Sequence, residues 1–165
     1  VKGRVVNAET GEELPRGEEG VLEMKARQFG NEGAWLRTTD RAVIDEDDFL
    51  FIKGRADNAI LRGGFKVHPD DVNKVLEGHP AVREAVVVGI PDRRLGAVPV
   101  AAIMLKSGVA EPGADELKAY ARAHLIAYQV PVKFLFVDDV PRTPSLKPAL
   151  ADVRALFEDP IQATA

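Results

Sequence analysis

The sequence contains no cysteine, which excludes disulfides and thiolate metal sites. Its three histidines are scattered without zinc-type spacing, so no metal site is expected. No apolar run approaches the ~18 residues that a membrane-spanning helix needs. No secretory pattern opens the chain. Cations are outnumbered, 22 against 26 acids for a net charge of −4, and they are dispersed, which argues against general binding of nucleic acid or anionic membranes. A cytoplasmic protein is the resulting expectation. What is present is a 45% apolar content in 165 residues, enough for one domain or one domain plus part of another. The chain starts at Val1, without Met, inside a β-prone run, and reads as an excised piece.

Residues 1–53 read as β, with short runs at 4–7, 20–25, 42–44 and 49–52 separated by turn signals. Residues 10–17 are a polar connection. Asp45-Glu46-Asp47-Asp48 is a hairpin turn, because it lacks the glycine and terminal glutamate of an EF-hand loop. Four or five short strands make a poor independent core, so this stretch is expected to have belonged to a larger barrel or sheet. Its severed strand edges are expected to pair between molecules as a dimer.

Beyond residue 56 the pattern turns to α+β. Val72, Val75 and Leu76 recur at helical spacing over 69–78. Apolar strands at 82–90 and 98–105 flank a charged turn. Leu117, Tyr120, Ala121 and His124 mark one face of a helix over 115–125, with His124 expected partly buried. Residues 133–137 form a third strand. Three prolines within 141–148 exclude regular structure there, since each removes a donor and fixes φ. A last helix fits 149–157, and a frayed tail begins at Asp159. The expectation is a small domain over 57–165 with a roughly three-stranded sheet packed by helices, preceded by an all-β remnant over 1–56.

Three spots carry chemistry. Asp40 ends the polar cluster Trp35-Leu36-Arg37-Thr38-Thr39-Asp40, and an ionised carboxylate, an acceptor only, suits a vicinal diol such as a ribose. The stretch 54–69 gathers Arg55, Arg62 and Lys66 around Gly63-Gly64, where the missing Cβ permits unusual backbone or the close approach of a ligand. The Arg55 guanidinium can hold a ribose or phosphate oxygen in fixed geometry, and Lys66 adds a point charge, whereas Arg62 reads as solvated. Pro69, Asp70 and Asp71 suit the first turn of a helix. Lys147 stands on the proline-rich loop, where an ammonium can neutralise charge developing on phosphorus and carboxylate oxygens.

In order and spacing these segments resemble the C-terminal part of the AMP-forming acyl/aryl-CoA ligase, adenylation-domain and luciferase superfamily. Arg37-Thr38-Thr39-Asp40 is similar to its aromatic-Arg-Thr-Gly-Asp motif. Gly54-Arg55-Ala56-Asp57-Asn58 with Gly63-Gly64 and His68-Pro69 is similar to its Gly-Arg-x-Asp-Asp, Gly-Gly and Tyr-Pro segment. Tyr128-Gln129-Val130-Pro131 resembles Tyr-Lys-x-Pro, and Pro141-Arg142-Thr143-Pro144-Ser145-Leu146-Lys147 resembles Pro-Arg-Thr-x-x-Gly-Lys. The match runs over nearly all of residues 1–150.

The resemblance implies that Asp40 accepts bonds from the AMP ribose, with Arg55 assisting at the nucleotide. Asp57 becomes the hinge of a mobile C-terminal domain. Gly63 and Gly64 line the pantetheine path, with Lys66 near a phosphate, and Lys147 is the catalytic lysine of adenylation. The family chemistry joins a carboxylic acid to MgATP, giving acyl-AMP and pyrophosphate, and then to the thiol of CoA or, alternatively, of a carrier protein. A non-catalytic interaction or nucleotide-sensing domain is the alternative of a different class, and the presence of both Asp40 and Lys147 counts against it. Three departures stand out: Thr39 for Gly, Gln129 for Lys, and Leu146 for the Gly before Lys147, costly if that position takes positive φ. The family's phosphate loop, adenine-contacting motif and acyl pocket belong upstream of Val1. The 165 residues alone are therefore expected to be inactive.

Overall fold

A computed structural model describes residues 2–25 and 33–158; the tail expected from Asp159 lies outside them. The chain divides into two compact units, Val1–Asn58 and Ala59–Ala165.

In the first unit, β1 (Lys2–Val6), β2 (Glu19–Lys25), β3 (Leu36–Ile44) and β4 (Leu50–Arg55) form an antiparallel meander in chain order. One face buries Val5, Leu22, Ala42 and Ile44, with Leu14 and Met24 against them. The acidic turn is built by Asp45, whose Oδ1 accepts from the amides of Asp47 at 3.0 Å and Phe49 at 2.8 Å, an Asx arrangement that closes the hairpin. Strand β3 begins six residues before the expected 42–44. Leu36 and Arg37 pair with Met24 and Glu23 of β2, so the polar cluster is itself strand. The edge strand β4 and the residue before it leave Phe49, Leu50, Phe51 and Ile52 exposed.

The second unit is α+β, as expected, with β5 (Ile60–Arg62), β6 (Phe65–Val67), α1 (Pro69–Glu77), β7 (Val82–Asp92), β8 (Gly96–Leu105), α2 (Ala114–His124), β9 (Phe134–Phe136) and α3 (Leu150–Glu158). The sheet runs β6-β5-β8-β7, with β9 parallel to β8. It has five strands rather than three, because β5 and β6 are three residues each and too short to display alternation.

Both faces of this sheet are covered, which explains why β7 and β8 are nearly continuous apolar runs. Ala85, Val87, Ala101 and Ile103 face one core with Val72 and Leu76 of α1 and Leu117 and Ala121 of α2. Val86, Val88, Val100, Ala102 and Met104 face the other, closed by Val140 and by Val153 and Phe157 of α3. Helix α1 opens with Pro69 at its first position and Asp70 and Asp71 in its first turn. Asn73 ties it to the sheet by accepting the Val87 amide at 2.8 Å. His124 is not buried. It is the last residue of α2, one turn beyond the face filled by Leu117 and Ala121, and it is exposed with its ring against Tyr120 at 4.4 Å. The buried histidine is His79, whose Nδ1 accepts the Ala81 amide at 3.1 Å.

Candidate functional site

At the end of the first sheet, Asp40 of β3 and Arg55 of β4 are register partners, so their side chains leave the same face. The Asp40 amide is taken by Thr38 Oγ1 at 3.1 Å, while its half-buried carboxylate makes no hydrogen bond or ion pair to another described residue. Next to it the register slips between Arg41 and Ala42, with Gly54 opposite at φ 126°. That bulge needs glycine. Arg55 donates from Nε and Nη2 to the two carboxylate oxygens of Asp57 at 2.9 and 2.6 Å. That bonding, led by the hydrogen bond itself, holds the Asp57 carboxyl below its ordinary range. The structure therefore groups Asp40, Arg55 and Asp57. Sequence reading did not single out Arg41, the next residue of β3, which is buried and ion-paired to Glu19 at 3.2 Å.

In the second unit, Gly63 and Gly64 form the two-residue turn between β5 and β6, with φ of 54° and 88°. Positive φ at both central positions is a type I′ hairpin, so the turn itself demands the pair. The Gly63 amide donates to Leu95 O at 2.8 Å, seating this hairpin on the β7–β8 turn. There Asp92 accepts the Leu95 and Arg94 amides, which, with Arg94 and Arg62 nearby, hold its carboxyl below the ordinary range. Lys66 is exposed on β6.

Arg62 is not merely solvated. Its Nη1 donates to the carbonyls of Tyr128 at 3.0 Å and Val130 at 3.2 Å, and Phe65 stacks on Tyr128 at 4.7 Å. The hairpin thereby carries the segment after α2. Gln129, standing where the family motif has Lys, accepts the Ile126 amide at 3.1 Å and closes a 3-10 turn, a bond an ammonium cannot make. Between this segment and α2 lies a cleft of about 350 Å³ lined by Arg62, Lys118, Arg122, Leu125, Val130 and Val132 among others. Lys118 and Arg122 are one turn apart on α2 and share a face. Among the described residues, no carboxylate lines the cleft.

Lys147 stands on a tight loop. Leu146 N donates to Thr143 O at 2.9 Å, Thr143 N to Lys147 O at 2.8 Å, and Ala149 N to Pro141 O at 2.8 Å. Leu146 has φ 65° and is exposed, the positive φ that its replacement of glycine put at issue. Arg142 donates to Glu84 Oε2 at 2.6 Å and to Leu146 O at 3.3 Å. The Lys147 ammonium is exposed and has no partner among the described residues.

Residues 71–147 match the AMP-binding enzyme C-terminal domain family, a segment that ends on this lysine. A fatty acid–[acyl-carrier-protein] ligase of Streptomyces coeruleorubidus is 36% identical over 95% of the chain and 32% of its own length. A 4-coumarate–CoA ligase of Glycine max is 32% identical over 92% of the chain and 57% of its own length. Residues 71–147 belong to the AMP-binding enzyme C-terminal domain family. Among solved members, ATP-bound MatB from Rhodopseudomonas palustris superposes with a TM-score of 0.81 at 27% identity, over 98% of the chain and 34% of that protein. The amide bond synthetase McbA from Marinactinospora thermotolerans gives 0.82 at 33%, over 94% and 34%. The chain thus spans about a quarter to a third of the length of most of the relatives and solved structures it matches.

Proposed function

We propose that the chain is the C-terminal part of an ATP-dependent, AMP-forming carboxylate–CoA ligase. Such an enzyme activates an acid, fatty-acyl or another acyl acid, as acyl-AMP with MgATP and transfers it to CoA. The observation that carries this reading is Lys147, an unpartnered ammonium on a braced loop at the end of the family domain. Lys147 neutralises charge on the carboxylate and α-phosphate oxygens as they react. Asp40 accepts the ribose hydroxyls, Arg55 assists at the nucleotide, and Asp57 is the pivot between a large domain and the mobile one, dividing the chain near residues 56 and 57. The Gly63-Gly64 turn borders the pantetheine path with Lys66 near a phosphate, and the cations of the α2 cleft suit the phosphates of CoA. Its setting is the cytoplasm.

The relatives act on different acids, and the pocket that selects the acid lies outside these residues, so no single acid is assigned. Loading of a carrier protein is the second reading, supported by the Streptomyces relative, whose acceptor is an acyl carrier protein. On either reading the 165 residues alone do not adenylate, while the full-length enzyme that carries them does. Acid-dependent ATP–pyrophosphate exchange tests this. Turnover above background by the isolated chain contradicts the division of labour, as does its absence in the full-length enzyme across acyl and aryl acids. With preformed acyl-AMP, CoA and a pantetheinylated carrier compete directly as acceptors.

A further inference from the structure

The Lys147 ammonium makes no polar contact within the described residues, so its aim is set by the backbone beneath it, where Lys147 O accepts the Thr143 amide at 2.8 Å. That backbone is under tension, since Leu146 takes φ 65°, a conformation L-residues adopt only when held there. Two backbone bonds close the turn on itself, and one side chain ties it to the sheet. The Arg142 guanidinium donates from Nη1 to the carbonyl of Leu146 at 3.3 Å, the peptide immediately preceding Lys147. It also forks onto Glu84, Nη2 to Oε2 at 2.6 Å and Nη1 to Oε1 at 3.4 Å, with Nε to Asp139 at 3.4 Å and Nη2 lying 3.8 Å from Met104 Sδ.

Glu84 belongs to β7 and is the register partner of Met104 on β8. The lysine loop is thus referenced through a single guanidinium to the long β7–β8 strand pair of the unit. A bidentate arginine–carboxylate pair fixes direction as well as distance, which a lone ammonium or a water-bridged contact does not. The base of the loop is held separately, by the Ala149–Pro141 bond and by buried Val140 and Val153. Removing Arg142 therefore frees the tip and leaves the fold intact.

We propose that Arg142 and Glu84 are positioning residues for Lys147, bracing the strained turn so that the ammonium reaches the reacting oxygens in adenylation. This rests on the reading of Lys147 as the adenylation lysine. The test uses the full-length enzyme with Arg142→Lys, Glu84→Gln, their double variant, and each in a Lys147→Ala background. Each single variant is expected to lower the adenylation kcat by about tenfold to a hundredfold, the range for a misplaced catalytic group. The KM values for ATP and acid, and the rate of thioester formation from preformed acyl-AMP, stay within about twofold. The double variant is no worse than the more impaired single, because the pair acts as one unit, and neither substitution matters further once Lys147 is alanine. Amide exchange at Thr143 and Leu146 accelerates while that at Val87 and Val153 does not. The proposal is overturned if adenylation stays within about twofold of wild type, if both half-reactions fall equally, or if the losses persist in the Lys147→Ala background. Should Lys147→Ala itself leave adenylation intact, the functional reading fails. The exchange measurement then decides the brace alone, and unchanged exchange at Thr143 and Leu146 refutes it.

Discussion

Arg55 grips Asp57 across two residues with two bonds of 2.9 and 2.6 Å. The residue assigned to the nucleotide is thereby fastened to the residue assigned to the pivot. On the proposed roles, a nucleotide oxygen that recruits Arg55 would compete with Asp57 for the same donors, linking ligand occupancy to rotation at residue 57. The pair also has a pH signature. Because bonding to Arg55 depresses the Asp57 carboxyl below its ordinary 3.8, the fork is intact above that pH and opens as pH falls through the depressed value. A carboxyl-detected NMR titration should place the Asp57 midpoint below 3.8, and Arg55→Ala should raise it. An unchanged midpoint in Arg55→Ala would refute the coupling.

Arg62 ties the β5–β6 hairpin to the segment after α2. Arg62→Ala strips two backbone carbonyls of their donor and is expected to cost about 1–2 kcal/mol in urea unfolding. Faster amide exchange at Gln129 and Val130 accompanies it, with Val87 unaffected. A purely solvated Arg62 would give no measurable loss.

Leu146 carries strain that glycine does not. The left-handed conformation costs an L-residue about 1–2 kcal/mol, and glycine returns part of that as extra unfolded-chain entropy. Leu146→Gly should raise stability by about 0.5–1 kcal/mol, while Leu146→Val should lower it because β-branched residues tolerate this φ poorly. Denaturant midpoints measured at constant m-value decide between these outcomes.

In the α2 cleft, reversing Lys118 or Arg122 to Glu should raise the KM for CoA by about tenfold for each phosphate contact weakened. The KM for ATP should not change, and the effect should shrink at high salt. Equal effects on ATP and CoA would remove the cleft from the thiol half-reaction.

The elements legible in the sequence were those whose cause is local. Pro69-Asp70-Asp71 ahead of Val72 and Leu76 announces α1, and the apolar density of Val82–Asp92 and Gly96–Leu105 announces strands buried on both faces. Asp40, Arg55 and Lys147 were singled out through motif order, and the first two are register partners on β3 and β4. What was illegible depends on contacts made far along the chain. Arg62 finds its carbonyls 66 and 68 residues away, and Arg142 finds Glu84 at a separation of 58. No periodicity encodes either. Helical spacing placed His124 on or near the buried face of α2, but it cannot tell that this last helical residue lays its ring on Tyr120 and stays exposed. The strands β5 and β6 were hidden by their length, and only the Gly63-Gly64 pair between them hinted at a hairpin.

Lys147 is the residue on which the proposed chemistry depends, and the most direct measurement is of the two half-reactions in the full-length enzyme with Lys147→Ala. Acid-dependent pyrophosphate exchange should fall by at least about a hundredfold, as when a preorganised charge at the reacting oxygens is removed. Thioester formation from preformed acyl-AMP and CoA should stay within about threefold of wild type. Equal loss of both, or exchange left intact, would contradict the role given to Lys147.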